Sequence, residues 1–470
     1  MPPIERPAAR VMHPSHRGLP PAVATPPRFC DNIRMDAFVI HGGRRLRGTV
    51  RIHGAKNAAL PLMAASLLTD EPVILRDVPR LADIRNMGRL LDVMGVTVQR
   101  ADDGPLHLAT HDADKCEAPY DIVRTMRASI CVLGPTVARR GEARVSMPGG
   151  CNIGDRPVDL HLRGLRALGA EVGLESGYIV ARAKRLRGTR VFLGGPFGST
   201  VLGTANVMSA AALAEGTTII ESAACEPEVT DLAHMLNAMG ARISGAGSPR
   251  IVIEGVDRLA GVDHTLIPDR IEAGTYIMAA AITNGDVVIE NCPTDSLTAV
   301  IDRLEEVGVE LEPTDGAAPP ADEQNLRQSV RIASGRRLEP VQVVTQPFPG
   351  FPTDLQAQVM ALLCMADGNS IITEKIFPDR FLHVAELLRM GARCLRNGPS
   401  VLISGVHHLE GAPVMASDLR ASAGLVLAGL AARGTTTINR VYHLDRGYER
   451  MELTLQQLGA DIERVDVPAA

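Results

Sequence analysis

The sequence is poor in aromatic residues: only 3% of its 470 residues are Phe or Tyr, and tryptophan is absent. Any hydrophobic core must therefore be packed from Ala, Val, Leu, Ile and Met, which favours closely packed helices. Aromatic side chains on which nucleic-acid bases stack are scarce, the net charge is −5, and the chain has no polybasic block. Nucleic-acid binding is therefore not expected.

Paired cysteines and long apolar runs are also missing. The eight cysteines are scattered without a CxxC pair, which argues against a disulfide framework and against a thiolate zinc site. No run of about 18 uninterrupted apolar residues appears, and the start of the chain lacks the apolar segment of a signal peptide. We therefore expect a soluble, cytoplasmic protein. Residues 1–34, with Pro, His and Arg but no periodicity, are expected to form a disordered extension, with Met35 as a functional start.

Length and repetition predict the domain organisation. A chain of 470 residues exceeds the usual size of one core, so about two or three domains are expected. A predicted helix closed by a glycine and followed by a strand recurs six times, at intervals of 68 to 83 residues, and the glycines are Gly95, Gly169, Gly240, Gly308, Gly391 and Gly459.

A second marker, an Ala-, Leu- and Met-rich helix running into a short strand, keeps the same period. Helices this apolar are buried on most faces. We predict six units of buried helix, strand, amphipathic helix and strand, arranged as two bodies of three with helices inside and strands outside. Residues 312–328, in the longest interval, predict an inserted loop without a chemical role.

Polar residues collect ahead of the apolar helices, where unpaired amides and the helix dipole favour anions. These segments and the loops after the central strands contain Lys56, Asn57, Arg124, Arg127, Arg156, Ser199, Thr200, Thr204, Glu226, Asp269, Arg270, Asp354, Arg380, Asp418, Arg420 and Arg446. The cations among them predict a site for one multiply charged anion. Taken singly, most such residues are helix caps or solvated charges, and Asp269 with Arg270 also fits a structural ion pair.

One cysteine differs from the others in its surroundings. Cys151 lies in PGGCNIGDRP, whose glycines and prolines indicate a shaped, mobile loop. A thiol in an open, electropositive loop can be reactive, whereas the other seven cysteines are interpreted as inert. His161 fits a packed helix histidine and a residue that supports the site equally well.

Seven motifs follow one another along the chain: GAKNAALP, TMRAS, PGGCNIGDRPVDLH, EPEVTDLA, FPTDLQAQ, DLRASAGLVLAG and DRGYER. In this set and order, the chain from about Ala37 to Asp466 resembles the UDP-N-acetylglucosamine enolpyruvyl transferases of bacterial peptidoglycan synthesis. The resemblance implies an α/β fold, a two-domain inside-out α/β barrel built from six repeats, with the active site between the domains. Crossings near Ala55 and Pro268 would assign residues 35–55 and 268–470 to the first domain and 56–267 to the second.

The implied reaction moves the enolpyruvyl group of phosphoenolpyruvate to the 3-hydroxyl of UDP-N-acetylglucosamine and releases phosphate. It needs no metal or organic cofactor, and these two small molecules are the implied partners, without nucleic acid or membrane. Cys151 matches the family's thiol, which donates a proton and forms an adduct, and Asp354 matches its base. The phosphate-side cations, of which Lys56 and Arg446 also act in catalysis, match Lys56, Arg127, Arg156 and Arg446. The carboxylate-side cations match Arg380 and Arg420.

The resemblance also implies contacts to the nucleotide sugar. The matching residues are Asn57, Arg156, Pro157, Val158, Asp159, Leu160, Thr200, Val201, Ile376 and Phe377. The chain departs from the family at two places: in TVLGT (200–204), Leu202 replaces a glycine beside the segment implied to bind the diphosphate, and Cys225 stands where an arginine is common.

Two alternatives remain open. The shikimate-phosphate enolpyruvyl transferases share the fold and phosphoenolpyruvate, but they lack a loop thiol like Cys151 and the RPVDLH segment. A non-catalytic paralogue that senses a nucleotide sugar belongs to a different class, although this chain keeps all the residues expected for turnover. A phosphate-release assay with both substrates separates these alternatives.

Overall fold

A computed structural model describes residues 34–101, 104–148, 158–314, 327–334 and 337–468. Its α-helices are α1 Lys56–Ala65, α2 Ala82–Val93, α3 Tyr120–Val123, α4 Leu133–Arg140, α5 Asp159–Ala167, α6 Val201–Ala211, α7 Pro227–Ala238, α8 Arg270–Ile282, α9 Thr298–Val307, α10 Gln356–Leu363, α11 His383–Arg389, α12 Leu419–Ala431 and α13 Met451–Gln457. In the described part of the chain, no helix has both the length and the apolar character needed to cross a membrane.

The strands are β1 Arg34–His41, β2 Arg47–Arg51, β3 Val73–Arg76, β4 Val96–Arg100, β5 Leu106–Thr110, β6 Glu117–Ala118, β7 Glu142–Ser146, β8 Glu171–Glu175, β9 Tyr178–Arg182, β10 Arg190–Phe192, β11 Gly194–Gly195, β12 Gly198–Ser199, β13 Thr217–Glu221, β14 Arg242–Ser244, β15 Arg250–Glu254, β16 Val262–Thr265, β17 Asp286–Cys292, β18 Glu310–Pro313, β19 Gln328–Ala333, β20 Gln342–Val344, β21 Asn369–Thr373, β22 Arg393–Asn397, β23 Ser400–Ser404, β24 Pro413–Met415, β25 Thr435–Asn439 and β26 Asp461–Pro468.

Six four-stranded sheets share one topology within the described residues. Their strand orders are β24-β25-β1-β26, β16-β3-β5-β4, β6-β7-β9-β8, β10-β13-β15-β14, β2-β17-β19-β18 and β20-β21-β23-β22. In each order the first pair is parallel and the next two pairs are antiparallel. The sheets are open, and the overall fold is mixed α/β.

Three of these sheets are built from neighbouring stretches of sequence, whereas β1, β2 and β16 pair with strands from distant parts of the chain. In each of the six, a buried helix leads into the second strand of the sheet, and an amphipathic helix leads into the fourth. The strand expected after the amphipathic helix therefore has an antiparallel partner that the repeat pattern did not predict. The six predicted glycines follow the amphipathic helices with φ between 83° and 103°, a backbone conformation that closes a helix and that other residues rarely adopt.

The helices with the most apolar sequences lie inside. Every residue of α8 is buried, and α8, α10 and α12 contact one another. These helices help form one hydrophobic core, whose residues lie between Phe38 and Ile52 and between Ile271 and Ile462. A second core lies between Ala55 and Leu266 and includes α1, α4 and α6. Small side chains make these close helix contacts possible.

The chain passes between the two cores twice, and the two passages lie side by side. Gly54 and Pro268 form an isolated antiparallel bridge. The amide of Ala55 donates to the carbonyl of Ile267 at 2.7 Å, and the amide of Asp269 donates to the carbonyl of His53 at 2.8 Å. These hydrogen bonds fasten the start of α1 to the start of α8.

Strands occupy the ends of the two segments that were expected to be irregular, the extension 1–34 and the inserted loop 312–328. β1 begins at Arg34, the last residue of the predicted extension, and residues 1–33 lie outside the described residues. The inserted loop predicted over 312–328 is shorter than expected, because its first two residues belong to β18 and Gln328 opens β19. Residues 315–326 lie outside the described part.

Candidate active site

Asp354 accepts hydrogen bonds from two arginines. It lies in the 3₁₀ turn Thr353–Leu355 ahead of α10. Its Oδ1 accepts from Arg380 Nη1 at 2.9 Å, and its Oδ2 accepts from Arg420 Nη2 at 3.0 Å. Partial burial opposes ionisation of the carboxyl, but Arg420 and Arg380 outweigh burial and hold the pKa of Asp354 well below its ordinary value. The predicted base is therefore ionised and fixed in place at neutral pH.

A buried polar network supports this cluster from behind. Arg420 Nη1 donates to the hydroxyl of Tyr448 at 3.4 Å, and that hydroxyl also lies 2.9 Å from Thr275 Oγ1. Gln358 Nε2 donates to Tyr448 OH at 3.2 Å and to the carbonyl of Asp354 at 3.1 Å. The sequence motifs contain Tyr448 and Gln358, but their roles were not predicted. Gln358 and Tyr448 thus link the backbone of Asp354 to the side chain of Arg420.

Glu374 is another residue beside Asp354 whose role was not predicted from the sequence. It is fully buried directly after β21, and its Oε1 accepts from the amides of Ile376 at 2.8 Å and Phe377 at 2.9 Å. Its Oε2 accepts from Thr353 Oγ1 at 2.8 Å, and this threonine accepts from Arg380 Nη1 at 3.0 Å. One buried carboxylate therefore positions the predicted sugar-contacting segment and the turn of Asp354.

A second cation pair is bridged by Asp83, in the first turn of α2. Its Oδ2 lies 2.8 Å from Lys56 Nζ, and its Oδ1 accepts from Arg446 Nε at 3.0 Å. Burial raises the pKa of Asp83, but Lys56 and Arg446 outweigh burial and lower it. Asp83 was not predicted, although an acid on the buried face of α2 with Met87 and Leu90 is the kind of signal that requires a cationic partner.

The two cation pairs are linked through α1. Asn57 Nδ2 donates to Asp354 Oδ2 at 3.5 Å, and the charge of Lys56 also favours the ionised form of Asp354. The structure thus brings together Lys56, Asn57, Asp354, Arg380, Arg420 and Arg446. Because α1 belongs to one hydrophobic core and Asp354 to the segment ahead of α10 in the other, this cluster lies where the two cores meet.

Asp269 and Arg270 do not pair with each other, contrary to the ion pair considered from the sequence. Asp269 caps two helices: its Oδ1 accepts from the amides of Ile271 and Glu272 at 2.9 and 3.0 Å, and its Oδ2 accepts from the amide of Lys56 at 3.0 Å. Arg270 Nε instead donates to Glu228 Oε1 at 3.0 Å, from the other core. Both carboxylate oxygens of Asp269 accept hydrogen bonds from backbone amides, and Arg270 therefore pairs with Glu228 instead.

Glu226, another of the polar residues singled out from the sequence, is buried beside this pair. Its Oε1 accepts from the amide of Phe348 at 3.5 Å, which again connects the two cores. Burial raises the pKa of Glu226 despite the nearby Arg270. Its neighbour Cys225, which stands in place of the arginine common in the family, is partly buried, and burial raises the pKa of its thiol.

The predicted nucleotide-sugar residues of the second core lie near helix starts. Val158 precedes α5, Asp159 is exposed, and Leu160 lies beside Gly195 in the β11–β12 hairpin. Thr200 caps α6, its Oγ1 accepting from the amide of Gly203 at 3.2 Å. The next two residues of α6, Val201 and Leu202, are partly buried and pack against the second core. Arg127 opens the 3₁₀ helix Arg127–Val132 and is partly buried, whereas Arg124 is exposed.

His161 is a packed helix histidine. It is buried, its Nδ1 lies 3.0 Å from Asn206 Nδ2, and burial together with Arg127 lowers its pKa to about 3. It is neutral at physiological pH, with Nδ1 accepting from the amide.

Three predicted site residues, Cys151, Arg156 and Pro157, lie outside the described residues. Of the cysteines that the structure does describe, Cys131 and Cys292 are buried, which raises the pKa of each thiol to about 12. Such thiols are protonated and unreactive at neutral pH. Within the described ranges, no group of three His, Cys, Asp or Glu side chains is arranged to hold a metal ion.

The arrangement of sheets is that of an enolpyruvyl transferase fold. The crystal structure of the enolpyruvyl transferase NikO from Streptomyces tendae has a TM-score of 0.81 at 27% identity, and the match covers 93% of this chain and 100% of that one. EPSP synthase from Acinetobacter baumannii has a TM-score of 0.69 at 18% identity over 92% of this chain and 100% of that chain, a likeness of fold alone.

The sequence comparisons agree with the fold. The family model for EPSP synthase (3-phosphoshikimate 1-carboxyvinyltransferase) matches residues 40–455. The chain is 55% identical over 433 residues to the UDP-N-acetylglucosamine 1-carboxyvinyltransferase of Gluconacetobacter diazotrophicus, covering 92% of this chain and 100% of the relative. The enzyme of the same name from Anaeromyxobacter sp. is 54% identical over 434 residues, with 92% and 99% covered. The chain therefore belongs to the EPSP synthase family and is an enolpyruvyl transferase.

Proposed function

We propose that the protein transfers the enolpyruvyl group of phosphoenolpyruvate to the 3-hydroxyl of UDP-N-acetylglucosamine and releases phosphate. The observation that carries this proposal is the presence of two cation pairs, Lys56 with Arg446 and Arg380 with Arg420, each bridged by one carboxylate. Phosphoenolpyruvate also has two anionic groups, a phosphate and a carboxylate. Relatives that share more than half of their aligned residues with this chain are named for this nucleotide sugar.

Each anionic group of phosphoenolpyruvate has its own set of cations in this proposal. Arg380 and Arg420 bind the carboxylate, since a guanidinium fork can hold two oxygens. The phosphate is bound by Lys56, Arg127, Arg156 and Arg446. Asp354 now occupies the carboxylate-side arginines, so the incoming carboxylate shares or replaces its hydrogen bonds.

The chemistry is an addition followed by an elimination. The 3-hydroxyl oxygen of the sugar bonds to C2 of phosphoenolpyruvate while its proton passes to Asp354, and the thiol of Cys151 gives its proton to the C3 methylene, which becomes a methyl group. In the second half, the bond from C2 to the phosphate oxygen breaks and the departing phosphate takes the proton held by Asp354, while the methyl group returns a proton to the Cys151 thiolate. The vinyl group is restored on the sugar. Attack of the Cys151 sulfur on C2 in place of the sugar oxygen gives the covalent adduct.

Asp354 becomes a better base when phosphoenolpyruvate binds. In the free protein, Arg420 and Arg380 hold its pKa well below the ordinary value, despite the opposing effect of burial. A substrate carboxylate on the same arginines weakens their hold and raises the pKa of Asp354. The basicity of Asp354 therefore depends on whether phosphoenolpyruvate is bound. Asp354 need not be a strong base, because the proton leaves the sugar 3-hydroxyl late in the reaction.

The nucleotide sugar lies between segments of both cores. Asn57 contacts the sugar beside Asp354, and the backbone of Ile376 and Phe377, fixed by Glu374, contacts it from the other side. The nucleotide is held by Arg156, Pro157, Val158, Asp159, Leu160, Thr200 and Val201. Leu202 has a larger side chain than the glycine usual in the family. It changes how the diphosphate fits, but it does not affect the reacting groups.

We further propose that the two cores are two domains of an inside-out α/β barrel, residues 35–55 with 268–470 and residues 56–267. The adjacent crossings at Gly54 and Pro268 support this division, because they make a natural hinge for closing the site. We also propose that the reaction serves peptidoglycan synthesis in the cytoplasm; the names of the relatives support the nucleotide sugar as substrate.

The test is a phosphate-release assay with purified protein. We expect phosphoenolpyruvate to be consumed only when UDP-N-acetylglucosamine is present, with one phosphate released per carboxyvinyl product. Turnover with shikimate 3-phosphate instead would support the shikimate-phosphate alternative. Binding of the nucleotide sugar without phosphate release would support a non-catalytic sensor.

A further inference from the structure

Asp83 is an acid in an apolar environment. It lies on the buried face of α2 with Ile84 and Met87, and its residue surface is 1% exposed. Its two carboxylate oxygens are divided between Lys56 Nζ at 2.8 Å and Arg446 Nε at 3.0 Å. These cations come from different cores, and Arg446 lies 363 positions from Asp83 along the chain. The carboxylate therefore fixes the distance between two cations that the chain brings together only by folding.

The position of Lys56 indicates that the cluster of Lys56, Asp83 and Arg446 does more than stabilise the fold. Lys56 is the first residue of α1, where the positive end of the helix dipole disfavours a cation, and it is 8% exposed. An ammonium group has three N–H donors. Within the described ranges, only Asp83 accepts from Nζ, so two donors remain for a ligand. A buried cation at an unfavourable helix end, with donors in excess, fits a site for a second anion.

We propose that Asp83 is a positioning residue and the internal counter-ion of the phosphate site. It aims Lys56 and Arg446 at one point and offsets one of their two positive charges. The inference rests on the proposed function, because it takes these two cations as ligands of the phosphate. A site with one positive charge fewer binds the phosphate group less tightly, so inorganic phosphate leaves after the C2–O bond has broken.

The experiment compares the full-length protein with Asp83→Asn, using inorganic phosphate as the probe in titration calorimetry. The variant is expected to bind phosphate about tenfold more tightly, because one nearby negative charge is gone. In the assay with both substrates, kcat falls, KM for phosphoenolpyruvate does not rise, and inhibition by added phosphate becomes stronger. A merely structural role would give the opposite, since disordered cations bind phosphate less tightly.

Three further variants complete the test. Asp83→Glu keeps the charge and is expected to bind phosphate as the unchanged protein does. Asp92→Asn removes the same charge from an exposed position of the same helix and should leave binding and turnover unchanged. Asp83→Ser is a second neutral variant in case the asparagine fails to fold.

The outcomes divide clearly. Unchanged or weaker phosphate binding by the folded neutral variants overturns the inference, as does failure of both to fold or the absence of phosphate binding by the unchanged protein. Tighter binding by the neutral variants alone supports it. If the unchanged protein has no turnover with the two proposed substrates but the phosphate affinities shift as expected, the proposed function fails and the counter-ion role stands.

Discussion

Replacing Asp354 by asparagine tests the base and the ion cluster around it at the same time. The substitution keeps the size of the side chain and removes the negative charge between Arg380 and Arg420, whose side chains are 7% and 4% exposed. Removing one partner of a buried ion pair costs about 3–5 kcal/mol. Because the Asp354 side chain is 27% exposed, solvent screening reduces this to about 2–3 kcal/mol.

For a domain of roughly 200 residues, this loss lowers the midpoint of thermal unfolding by about 4–12 °C. Turnover should fall by a factor of about 10² to 10⁴, the usual contribution of a general base. Binding of UDP-N-acetylglucosamine should stay within about tenfold, because the shape of the site is retained. The assays are scanning calorimetry, phosphate release and titration with the nucleotide sugar.

Two internal checks sharpen this prediction. The pKa of Asp354 is lower in the folded than in the unfolded protein, so its contribution to stability is present above about pH 4 and is lost as the pH falls further. The difference between the two proteins should therefore shrink in acid. Phosphoenolpyruvate should raise the unfolding midpoint of the variant more than that of the unchanged protein, because it supplies the missing anion.

The matched control is Asp379→Asn, which removes the same charge from a side chain that is 80% exposed and paired with Arg396 at the surface. It should change neither stability nor turnover measurably. If Asp354→Asn unfolds within about 1 °C of the unchanged protein and keeps near-normal turnover, then the stabilising ion pairs of Asp354 with Arg380 and Arg420 and its assignment as the base are both wrong.

Three further predictions concern other parts of the site. Glu374→Gln should raise KM for the nucleotide sugar at least severalfold, because an amide cannot accept all the hydrogen bonds that fix Ile376 and Phe377. The pKa of His53 is raised to about 9 by its hydrogen bond to Glu272, so His53→Asn should remove about 1–2 kcal/mol of stability below pH 6.5 and little above pH 9, after discounting for the 35% exposed ring. Fosfomycin should add to Cys151 alone, faster with the nucleotide sugar present, as mass spectrometry of the intact and digested protein will report.

Each of these predictions has a contrary result. Unchanged kinetics in Glu374→Gln would show that the buried carboxylate does not support the sugar segment, and Glu410→Gln at an exposed position provides the comparison. Equal stability profiles of the unchanged and His53 proteins across pH 6–9 would contradict the ion pair. An adduct on Cys131 or Cys292, or one that persists in Cys151→Ser, would contradict the reactive-loop interpretation.

The repeat was predictable from sequence because it depends on local chemistry. A glycine that ends a helix with positive φ, such as Gly240 or Gly459, leaves the same short signature wherever it occurs. Burial of the apolar helices followed from their composition, as in α8. The antiparallel partner strands were missed, because their alternating pattern is short and half of each strand faces solvent.

The site was predictable only where a motif carried it. Lys56 and Asp354 lie in motifs of recognisable composition, and their assignment to the site stays a prediction. Asp83 and Glu374 lie in ordinary helical and strand-end sequence, and their roles depend on neighbours that folding brings from distant positions. A buried acid is a signal that a partner exists, but the sequence does not say which residue it is.

The position of β1 in its sheet has a consequence for the order of folding. β1 pairs with β25 on one side and β26 on the other, and Arg464 bonds to Asp36 across 428 positions of the chain. The core between Ala55 and Leu266 needs no such partner. At roughly 5–20 residues per second, a ribosome needs roughly 10–40 seconds to make residues 267–470. During that interval the core between Ala55 and Leu266 can form. Both edges of β1 remain unpaired until β25 and β26 have been made, so strands of other chains can pair with it.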